Sequence, residues 1–228
     1  MIPFGTTLRS IATLQDEILT TTQAKVFARI YNDFEDSVVE SLITTARVQV
    51  EEYLSRALVE QTFLWTVQLL EHPDHPYNNA AAGVAMMFGG NWGLEERHYT
   101  YLEIPRSPCV SIASVEVLDH YGNVITLPSG TWWVDTAPDP AVLKIDWHLV
   151  TANADPVPFF PLKHIQVQFD AGYTGAEVVP NPVIQAIYLL INFMYERRGD
   201  ETNLDSWPKA VKALLDNYRV YFAGGTLN

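Results

Sequence analysis

"FDAGYTGAEVVPNPVIQAIYLLINFMYERRGD", Phe169–Asp200, decides how the rest of the chain is read. It leaves a strand, turns through Gly172 and Gly175, passes Pro180 and Pro182, and enters a helix. Eleven of the thirteen residues from Val183 to Tyr195 are apolar or tyrosine. Gln185 and Asn192 stand seven apart and share one thin polar stripe with Tyr188 and Tyr195. Ile184, Ile187, Ile191 and Met194 flank it on one side, Val183, Ala186, Leu190 and Phe193 on the other. A helix apolar on two flanks must be covered from two directions. It ends in Glu196, Arg197 and Arg198. Glu196 and Arg197 have the residue types of an acid–base pair, although a charged helix end is more commonly solvated or paired with a neighbour.

Two helical segments precede it. In "TTTQAKVFARIY", Thr20 and Gln23 have capping-box spacing, and Val26, Phe27 and Ile30 fall on one face. In "SVVESLITTARVQVEEYLSRAL", Ser37 and Glu40 have the same spacing. Val39, Leu42, Ile43, Ala46, Val50, Tyr53 and Leu54 recur at three–four intervals, which predicts a long amphipathic helix. Glu40, Thr44, Arg47, Glu51 and Ser55 form its expected outer face. A last helix is expected in "SWPKAVKALLDNYRVYF", with Pro208 near the first turn and Trp207, Val211, Leu214 and Tyr218 on one face.

Between the helical zones the period changes to two. "VEQTFLWTVQL" alternates through Phe63, Trp65, Val67 and Leu69, and "HIQVQF" through Ile165, Val167 and Phe169. "SVEVLDHYGNVITL" reads as a hairpin turning near Gly122 and Asn123. "TWWVD" and "VLKID" add further strands, for six or seven in all. The predicted fold class is therefore α+β. N- and C-terminal helices, residues 1–58 and 174–228, pack as a small bundle, and a mostly antiparallel β-rich region occupies 59–173. Residues 71–98 fit neither period. They are rich in Pro, Asn, Ala and Gly yet carry Met86, Met87, Phe88 and Trp92, the composition of a contact loop.

Composition excludes several functions. Of 228 residues, 48% are apolar and 18% charged, which is globular rather than disordered. No uncharged apolar run reaches the roughly 18 residues of a membrane span, and MIPFGTTLRS lacks the core of a signal peptide. The chain is thus expected to stay in the cytoplasm of the producing cell and to engage no membrane. Net charge is −13, from 27 acidic against 14 basic residues. A tight grip on nucleic acid needs a basic surface, so this chain is expected to surround DNA at most, without holding it.

Chemistry-bearing motifs are sparse. His72, Asp74 and His75, with His98, are the densest ligand-type cluster, but their spacing fits no metal template and Pro73 and Pro76 favour a turn. Asp135 and Asp139 lie in a turn-like "DTAPDP". His120, His148 and His164 are scattered. Cys109 stands alone, and a small buried residue after Pro108 is its simplest reading. No nucleophile elbow, phosphate loop or zinc-protease motif occurs, so no enzyme, cofactor or metal is expected.

The ordered series "SRAL" (Ser55–Leu58), "IPRSP" (Ile104–Pro108), "FDAGY" (Phe169–Tyr173) and "YERR" (Tyr195–Arg198) resembles the long-form head–tail connector (adaptor) proteins of siphophages, prophages and gene transfer agents. The likeness spans about residues 15–220. Ser55 departs from it, standing where the connectors usually carry Gly, and the 71–98 segment is longer than theirs. The resemblance implies a structural protein of the virion neck. It would form a homo-oligomeric ring, usually of twelve copies, beneath the portal, extend the DNA channel and dock the next neck or tail-completion protein. A head-completion stopper or tail terminator is the alternative within the neck, and a metal-dependent hydrolase is the alternative outside it. The interface residues expected on this reading are Met86, Met87, Phe88, Trp92, Ile184, Ile187, Ile191, Tyr195, Arg197 and Arg198. Tyr221 and Phe222 are expected at the portal contact or, equally, folded back over Trp207 and Leu214.

Overall fold

The computed structural model describes residues 6–13, 16–68, 99–119, 121–155, 162–175, 178–197 and 207–222. The 71–98 loop, with its four apolar side chains and all its histidines, lies outside the described residues, as do His120 and Arg198. The chain forms two compact units. One comprises the chain through Thr13, Gln61–Gly172 and the chain from Tyr221; the other comprises Leu14–Glu60 and Tyr173–Val220.

Among the described residues the strand unit holds eight strands: β1 (Thr6–Thr13), β2 (Gln61–Gln68), β3 (Tyr99–Glu103), β4 (Cys109–Leu118), β5 (Val124–Thr126), β6 (Trp132–Asp135), β7 (Val142–Asp146) and β8 (His164–Ala171). They form a five-stranded sheet, β1-β2-β8-β4-β5, and a three-stranded sheet, β3-β7-β6. Every pairing is antiparallel. β8 sits at the centre of the larger sheet, and its burial alternates residue by residue as the "HIQVQF" pattern requires. Ile165, Val167, Phe169 and Ala171 are buried. Phe169 stacks on its cross-strand partner Phe63 with centroids 5.5 Å apart. On the opposite face, Asp170 ties three strands together: it accepts from Thr62 Oγ1 at 2.7 Å and from Ser111 Oγ at 2.9 Å. The β4–β5 hairpin turns at Gly122, whose φ of 92° suits glycine.

β1 was not apparent in the sequence, and it carries the first described residues into the sheet rather than into the bundle. Trp147–Asn153 forms another unexpected element, α3, capped by Asp146, whose carboxylate accepts from the His148 and Leu149 N–H groups.

The helical unit joins two stretches far apart in the sequence: α1 (Thr21–Ala28) and α2 (Asp36–Leu54) with α4 (Asn181–Glu196) and α5 (Lys209–Leu215), followed by a 3-10 turn, Asp216–Tyr218. α4 packs against α1, α2 and α5, which explains its composition. Val183, Ala186, Ile187, Leu190 and Ile191 enter a single core with Val39, Ile43, Ala46, Val50 and Leu54 of α2. Each large buried side chain contributes about 1.5–3 kcal/mol. The Thr20–Gln23 capping box forms as expected. The Ser37–Glu40 box does not, because α2 begins two residues earlier, with Glu35 rather than Ser37 as its N-cap.

The outer face expected for α2 is also partly wrong. Arg47, Glu51 and Ser55 are buried. Arg47 donates from Nη1 to Glu51 Oε2 at 2.6 Å and from Nε to Glu17 Oε2 at 2.8 Å. The other Glu51 oxygen accepts from the Leu58 N–H at 2.7 Å. Ser55 ends the helix in the left-handed region, φ 55°. That conformation favours glycine, the residue usual at this point in the connector pattern.

Two stability changes follow from these contacts. Glu51→Ala leaves Arg47 short of an acceptor and orphans the Leu58 N–H, at a cost of about 3–5 kcal/mol in chemical denaturation. Ser55→Gly removes the Cβ penalty and gains about 0.5–1 kcal/mol, net of glycine's greater chain entropy. A loss of stability in the second variant would show that the serine side chain contributes more than its strained backbone costs.

Candidate interaction surfaces

The expected interface on α4 divides. Ile187 and Ile191 are each 1% exposed and belong to the bundle's own core, so they are not an outward stripe. The two flanks read from sequence close largely into one core, because helices from both ends of the chain reach α4. Ile184 is half-buried at the core's edge. Tyr195 donates its hydroxyl to Glu35, the residue that precedes α2. Arg197 is exposed and places its guanidinium 4.7 Å from the centre of the Phe193 ring. Glu196 accepts from Asn192 Nδ2 at 2.9 Å rather than pairing with Arg197 as an acid–base couple.

At the C-terminus, the buried Val220 donates its N–H to the Leu54 carbonyl at 2.9 Å. Tyr221 is exposed and Phe222 half-buried. Both group with the strand unit, whereas Trp207 and Leu214 pack against the helical core.

Two surfaces were not singled out in the sequence. The first is the corner between α1 and α2. Val26 is 75%, Tyr31 92% and Phe34 97% exposed. Phe27 stacks on Tyr188 of α4 with centroids 4.9 Å apart. These two, with Thr22, Gln23 and Val26, line an open, mostly apolar groove of about 350 Å³. Ala24 and Ile30 turn inward instead. The spacing places Val26, Phe27 and Ile30 on one apolar face, which the structure divides. α1 ends after Ala28, with Arg29 left-handed at φ 57°, and the helical period ceases there.

The second surface lies on the three-stranded sheet. Lys144 stands opposite Tyr101 on β3 and Trp133 on β6. Its ammonium lies 3.7 Å from the centre of the Tyr99 ring, 4.8 Å from Trp133 and 5.3 Å from Tyr101. The cation is thus held by three aromatic faces, each such contact contributing about 0.5–1 kcal/mol at an exposed site.

Groups of catalytic type are engaged locally. Asp135 accepts from the Ala137 N–H at 3.0 Å, as a turn residue does. Burial, with a smaller contribution from the charge of Asp170, pushes the Cys109 thiol up to about 11. Burial, and then the charge of Lys163, lowers the pKa of His164 and favours its neutral form. Among the described residues no group of three or more His, Cys, Asp or Glu is placed to hold a metal ion. Among them, too, no helix is long and apolar enough to cross a membrane.

No protein-family model matches the chain, and no curated protein matches it in sequence. Solved structures do match its fold. A chain in the neck of an empty gene transfer agent particle, determined with C6 symmetry, superposes with a TM-score of 0.61 at 19% identity. The match covers 94% of this chain and 95% of that one. A chain in the virion of a native gene transfer agent gives 0.60 at 19% identity, over 93% and 95%. A chain in the neck of a native particle, determined with C12 symmetry, gives 0.54 at 19%, over 94% and 95%. The chain therefore shares its fold, through nearly its whole length, with chains of gene transfer agent particles.

The thiol makes a direct test of the local environment. Cys109 should resist iodoacetamide at pH 7.5 in the native protein. Its alkylation rate should climb about ten-fold per pH unit and level off only near pH 11, where the thiolate becomes the major form. Rapid labelling at neutral pH would show a lowered rather than a raised pKa.

Proposed function

We propose that this chain is a structural protein of a virion neck: a head–tail connector that forms a ring below the portal of a DNA-filled head. The observation that carries this reading is the fold shared, over 94% of the chain, with a chain in the neck of a gene transfer agent particle. The C6 and C12 symmetries of those necks support a homo-oligomeric ring, with twelve copies the expected number. The connector role, rather than that of a stopper or terminator, is favoured by the ordered motifs at Ser55–Leu58, Ile104–Pro108, Phe169–Tyr173 and Tyr195–Arg198. The ring would extend the channel from the portal and present a surface to the next neck protein.

The charge suits that role. At −13 the subunit repels phosphate, so DNA can pass a wall of such subunits without being retained. No catalysis is part of this reading. The exposed Tyr221 remains a proposed point of portal contact, with Phe222 beside it.

Electron microscopy of particles labelled on this protein tests the placement. Label is expected as a single band between head and tail, and native mass spectrometry of the extracted neck should give a closed ring of twelve. Label on the tail tip or capsid faces would overturn the connector reading. Purified subunit should also leave duplex DNA unshifted in a gel at physiological salt; retention of DNA at micromolar protein would contradict the repelling wall.

A further inference from the structure

We draw no further inference here: the strongest candidate, the exposed apolar corner between α1 and α2, where Val26, Tyr31 and Phe34 stand beside the groove lined by Phe27 and Tyr188, carries nothing because nothing in the structure shows what covers it.

Discussion

The helical unit depends on one buried carboxylate. Glu51 receives Arg47 on one oxygen and the Leu58 N–H on the other, and Arg47 reaches on to Glu17. The segment before α1 and the segment after α2 are therefore both held to the same stripe of α2. Unpaired, either charge would be costly to bury; together, with their remaining groups hydrogen-bonded, they replace water by fixed partners. Hydrophobic contacts alone would tolerate a sliding chain exit. The 2.7 Å bond from Leu58 to Glu51 fixes where the chain leaves the helix, just after the left-handed turn at Ser55.

The same network shows what sequence patterning could and could not reveal. Arg47 and Glu51 occupy the polar phase of an amphipathic helix, and periodicity alone cannot separate a solvated charge from a paired, buried one. β8 and α4 were legible because their burial follows one clean period each. β1 was not: all its residues are at least partly exposed, so "TTLRSIAT" shows no apolar alternation. α3 is a seven-residue helix whose main local signal is the cap at Asp146. Isolated signals of that size are outweighed by the longer patterns around them.

The exposed surface was harder to read than the fold. The composition of α4 drew attention to Ile187 and Ile191, yet a helix covered by three others spends those residues on its own core. The exposed apolar cluster sits instead where the helical period stops. Val26 still lies within α1, but Tyr31 and Phe34 follow its end, and no periodic argument assigns a face to residues outside an element. Only the three-dimensional path of the loop, braced by Lys25 between Asp33 and Asp36, turns them outward.

A channel protein and a ring protein make opposite electrostatic demands. A strongly acidic subunit lets DNA slide past, but the same charge drives copies apart. The repulsion is screened within about 8 Å at physiological salt, so its cost is decided at the contact itself. In the proposed ring, a chain of net charge −13 would meet both demands only where the touching surfaces are locally close to neutral. The wall would then stay repulsive toward phosphate, while subunits met where desolvation of apolar surface outweighed what repulsion remained. On this argument, ring assembly should strengthen with added salt while the subunit's indifference to DNA persists. An interface built from exposed ion pairs would weaken instead, so a salt titration of ring assembly distinguishes the two.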